Sequence, residues 1–131
     1  MIFPAPFEQK IGFDRLREQI AALCSMRAAR ERLAAEGFST SAREIGQRLA
    51  LADEMRLLLE MERDFPGGDY PDIDFLVAKL RVEGSFLDVE EVMTLHGALS
   101  ALGGVVSFIR VRGEHYPTLF ALTRDIAAFP E

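Results

Sequence analysis

The stretch RVEGSFLDVEEVMTL, residues 81–95, ends one helical pattern at Gly84 and begins another at Asp88. Few short segments restrict a fold more, because both the stop and the start are written in local chemistry. Glycine at a helix end takes the left-handed conformation without a steric penalty and so closes the helix before it. Asp88 is a good N-cap. Glu91, three residues on, completes a capping box in which each side chain accepts from a free backbone amide. Leu87 just before the cap and Val92 four residues after it fit a hydrophobic staple, which sets the angle at which the chain enters the helix. Gly84, Leu87, Asp88, Glu91 and Val92 are therefore the predicted structural corner of a helical scaffold.

Apolar spacing extends that scaffold along the chain. Phe13, Leu16, Ile20 and Leu23 form one stripe of a helix over about 14–24. Ser25 is placed to cap a short second helix carrying Met26, Ala29 and Leu33, with Gly37 as its left-handed end. Ser41 and Glu44 fit another capping box, opening a helix over about 42–63 with Ile45, Leu49, Ala52, Met55 and Leu59 on one side. RDFPGGDYPD, 63–72, is the clearest loop, and Ile73, Leu76 and Leu80 point inward from a short helix after it.

The helix over about 89–111 carries Val92, Leu95, Leu99, Leu102, Val106 and Ile109, a heptad-like seam suited to bundle packing. Gly97, Gly103 and Gly104 lower its helix propensity, and close approach of another helix is the expected use for them. Pro117 opens a last helix with Leu119, Leu122, Ile126 and Phe129. No strand pattern competes. The prediction is an all-α fold, an irregular helical bundle of about five to six helices, in one domain spanning 1–131.

Charge narrows the function. Of 131 residues, 15 are Lys or Arg and 21 are Asp or Glu, for a formal charge of -6. The acidic excess lies in the middle, where residues 53–91 hold four basic against twelve acidic groups. A duplex binds by displacing counterions with basic groups, and this middle repels one. Arg27, Arg30 and Arg32 are the best local candidates for nucleic-acid phosphate contact, but Glu31 and Glu36 among them favour a solvated helix face. The single Cys24 allows no internal disulfide and no thiolate cluster. The start lacks the pattern of a signal peptide, and the most apolar run, 97–109, is shorter than the roughly 20 residues a membrane crossing needs. A cytoplasmic protein without a membrane partner is expected.

No catalytic set emerges. His96 lies on the long helix with no nucleophile placed beside it by any motif, so it reads as an ordinary half-buried or surface histidine. His115 reads as loop polarity. Gly67–Gly68 is followed by no Lys-Ser/Thr, as a P-loop requires. Asp69, Asp72 and Asp74 lack calcium-loop spacing, and two of them are better used as helix caps. Glu90–Glu91 suits the positive end of a helix dipole. No metal, cofactor-binding or catalytic residue is predicted. The final AAFPE stops just past a helix, as a fragment of a longer protein would.

The succession FEQKIGFDRLREQIAALC (7–24), FSTSAREI (38–45), LADEMRLLLE (51–60), DFPGGDYPDI (64–73) and RVEGSFLDVEEV (81–92) resembles the N-terminal region of the second bacterial group of MutS paralogues. These are large ATPases related to mismatch-repair proteins. The resemblance implies the first part of the helical core-and-lever domain, which links a DNA clamp to a C-terminal ATPase. It implies ATP and Mg for the full-length protein, a homodimer on branched DNA, control of recombination and action on stalled ribosomes. Some relatives also carry a nuclease domain. The nucleotide-binding and nuclease motifs fall outside this segment, so only Gly84, Leu87 and Glu91 match, as an architectural corner. The competing expectation, drawn from the heptad spacing, is a free-standing helical dimerisation or interaction module.

Overall fold

The computed structural model describes residues 6–68 and 70–126, so Asp69 and Phe129 lie outside the described residues. All regular structure among them is helical: α1 Phe7–Lys10, α2 Phe13–Leu23, α3 Arg27–Ala35, α4 Ala42–Met61, α5 Asp74–Leu80, α6 Val89–Val111 and α7 Pro117–Thr123. The all-α class holds. The element beyond the expected six is α1, a single turn whose closing residues lead into Gly12 at φ 74°, a left-handed position ahead of α2. So short a turn carries no apolar periodicity to detect.

The described residues pack as two compact units, one within 6–38 and 70–95 and one within 39–68 and 96–126. In the first unit, Arg17 of α2 does most of the joining. Its guanidinium donates to the carbonyls of Leu33, Ala34 and Glu36 at 3.1, 3.3 and 2.5 Å, and to Glu8 at 2.9 Å. A cation thereby satisfies the free carbonyls at the C-terminus of α3, where the helix dipole favours it. Phe38 packs near Phe7 and Phe13, with ring centroids 6.2 and 6.3 Å apart.

Two cap expectations fail here. Ser25 does not cap α3, whose N-cap is Met26 with no side-chain bond. Instead Asp72 Oδ2 accepts from the Arg27 amide at 3.1 Å, while its Oδ1 accepts from the Asp74 amide at 3.1 Å. One carboxylate thus serves the starts of α3 and α5, a long-range solution that Ser25 could not reveal. Gly37 is not left-handed either; positive φ occurs among the described glycines only at Gly12 and Gly84. The end of α3 is closed by Arg17 and needs no such turn.

The second unit is built on α4, the later part of α6, and α7. Its core is Leu58, Ile109, Tyr116 and Leu119, with Leu51, Met55, Phe65, Val105 and Phe108 packed against it. Phe65 meets Phe108 edge-on at 5.5 Å. The predicted inward stripe of α4 is rotated. Met55 packs as expected, but Ile45, Leu49 and Leu59 are exposed and Leu58 is fully buried. The reason lies in two carboxylates on the inward side. Glu54 accepts from the amides of Thr118 and Leu119 at 3.0 and 2.8 Å, capping α7. Glu62 accepts from Arg112 Nε at 3.0 Å and from the Tyr116 hydroxyl at 3.3 Å. A reading that puts charge outside places those positions on the wrong face.

Similar shifts affect the other stripes. Ile73, Leu76, Ile109 and Leu119 are buried as predicted, whereas Leu80, Leu122 and Ile126 are exposed. On α6 the buried residues are Ala98 and Ile109, while Val92, Leu99 and Leu102 of the seam stay exposed. Nothing lies within 4 Å of where a Cβ would stand on Gly97, Gly103 or Gly104, so no described helix makes the close approach expected there. By length and composition alone, α6 is apolar enough to cross a membrane, with a window of mean hydropathy 1.7. The 97–109 run understates it because Val92 to Leu95 extend the same helix.

Candidate functional site

The best-built polar constellation is the corner between α5 and α6, within the first unit. Gly84 stands at φ 78°. Asp88 Oδ1 accepts from the Glu91 amide at 2.8 Å, and Glu91 Oε2 accepts from the Asp88 amide at 2.9 Å. The capping box is complete in both directions. Lys79, in the last turn of α5, adds its ammonium to both oxygens of Glu91 at 2.7 and 2.6 Å. Ser85 Oγ then donates to the Lys79 carbonyl at 2.6 Å.

These contacts hold the Glu91 carboxyl below the usual glutamate range, the Lys79 ammonium contributing most and the Asp88 amide next. Leu87 is half-buried and Val92 is exposed. Lys79, Ser85, Asp88 and Glu91 are engaged with one another and with the backbone, so the corner can fix the exit of α5 relative to the start of α6.

The other polar knots do comparable work. Asp72 is held low by the Asp74 amide, then by the Arg27 amide. Partial burial pushes Glu54 up, but bonds from the Thr118 side chain and the Leu119 and Thr118 amides outweigh it and leave its pKa lowered. Burial, with Glu62 nearby, pushes the Tyr116 hydroxyl up. At the start of α4, Ser41 Oγ accepts from the Glu44 amide at 3.3 Å. The reciprocal half of that box is replaced, since Glu44 takes the Ser39 hydroxyl and Arg48.

The sequence-predicted binding candidates do not converge. Arg27, Arg30 and Arg32 are all exposed on α3. Arg27 pairs with Glu31 at 3.1 Å, one turn along, and Arg30 Nε donates to the Cys24 carbonyl at 2.8 Å. His96 and His115 are both exposed. Among the described residues no three His, Cys, Asp or Glu side chains gather as a metal would require. A crevice of about 100 Å³ in the first unit is walled by Phe13, Ile20, Leu33 and Phe38. It lies well below the roughly 300 Å³ of small-molecule sites, and its arginine, Arg17, is committed to Glu8 and the end of α3.

Arg17, Glu54 and Glu62 are the structural residues that pattern reading missed. A signal did exist for Glu54. Pro117 starts α7, yet no Ser, Thr, Asp or Asn precedes it, so its free amides had to find an acceptor elsewhere.

No family model matches this chain, and no solved structure matches it. Among curated proteins it is similar to an endonuclease MutS2 of Pelotomaculum thermopropionicum, 26% identical over 123 residues. That alignment covers 94% of this chain and 16% of the relative, so the chain spans about a sixth of the length of the curated protein it matches. The likeness is distant, and it is to a segment of a much larger protein.

Proposed function

We propose that this chain is a non-catalytic, N-terminal helical segment of a MutS-related, DNA-acting ATPase. In that setting it links a DNA clamp to the ATPase and carries movement between them as a stiff element. The observation that carries the reading is the proportion of the match: nearly all of this chain aligns with a small part of the MutS2 relative. The corner supports it, because a capping box, an ion pair and a left-handed glycine fix one turn firmly, as a stiff element requires. ATP and Mg then belong to the rest of such a protein, as do the homodimer on DNA, any contact with ribosomes and any nuclease activity. A cytoplasmic setting follows from the same reading.

The purified chain, incubated with Mg-ATP and with duplex DNA at moderate salt, is expected to show neither turnover nor tight binding. Stoichiometric ATP hydrolysis by the chain alone would falsify the proposal. A second reading, a free-standing helical interaction module, is favoured by the exposure of Val89, Met93, Leu99 and Leu102 on α6. The reading frame beyond Glu131 discriminates: a distant Gly-rich loop ending in Lys-Ser/Thr supports the first, an immediate stop codon the second.

A further inference from the structure

We draw no further inference here: the strongest candidate, the open apolar face of α6 around Val92, Met93, Leu99 and Leu102 with its uncrowded glycines, carries nothing because nothing in the structure shows what covers it.

Discussion

Three consecutive leucines on α4 offer a direct test of how this helix is oriented. Leu57, Leu58 and Leu59 are 37%, 0% and 58% exposed. Leu58 packs with Ile109, Tyr116 and Leu119, so its truncation removes buried methyl groups and leaves a cavity. Leu58→Ala should cost about 2–5 kcal/mol. Full burial of a leucine side chain is worth about 1.5–3 kcal/mol, so a side chain already more than half exposed should lose no more than about 1 kcal/mol. Alanine's better helix propensity offsets part of even that loss.

For a chain of this length, a loss of about 3 kcal/mol lowers the melting temperature by roughly 10–15 °C. Urea titrations followed by circular dichroism at 222 nm would report all three variants against the parent. The expected order of cost is Leu58 well above Leu57, with Leu59 least. If Leu59→Ala costs as much as Leu58→Ala, the rotation of α4 is refuted and the stripe Ile45–Leu49–Ala52–Leu59 regains its claim to the core.

The helix ends make separable predictions. Asp88→Ala should cost about 0.5–2 kcal/mol in the same titration, while Ser25→Ala should be nearly silent because Ser25 caps nothing; equal effects would contradict the cap geometry. Gly84→Ala, at φ 78°, should lose about 1–2 kcal/mol to left-handed strain. Gly97→Ala, in open space within α6, should instead stabilise by about 0.5–1 kcal/mol; a loss there would reveal packing against it. Acid should weaken the fold in a defined direction. Glu54, Asp72 and Glu91 all have carboxyls lowered in the folded chain, so they contribute stability above the unfolded range near about pH 4, and it is lost as pH falls through their lowered values. Melting temperatures taken from pH 7 down to pH 3 should drop less steeply when Glu54→Gln, Asp72→Asn and Glu91→Gln are combined; an unchanged acid limb would remove these groups from the account.

What the sequence disclosed, and what it hid, divide along physical lines. Caps that work within four residues were legible. Asp88 with Glu91, Gly84, and Pro117 at the start of α7 each occur where local chemistry put them. Contacts between distant residues were not legible. Asp72 reaches across 45 residues to the start of α3, and Glu54 across 64 to α7. Helix faces were legible only in part. On α5, Ile73 and Leu76 identified themselves, but α4 and α6 are apolar around most of their circumference. There, periodicity cannot choose a face, and two half-buried carboxylates, Glu54 and Glu62, lie on the core side at α4. Of the residues that look reactive in isolation, His96 is exposed on α6, and Arg27, Arg30 and Arg32 are exposed together on α3.

A common logic joins the polar knots. Arg17 closes α3, Asp72 opens α3 and α5, Lys79 with Glu91 locks the turn into α6, and Glu54 opens α7. Each uses a charge to satisfy backbone groups at a helix terminus, where helices fray first. Most are at least partly exposed, so they contribute direction more than depth of stability. The apolar residues show the opposite allocation. Phe13, Leu16, Ile20 and Leu23 make a clean stripe on α2, yet all remain exposed, as do Phe75, Phe86, Val89 and Met93. Charged side chains thus set the directions at the corners, while much apolar surface remains open around a small core.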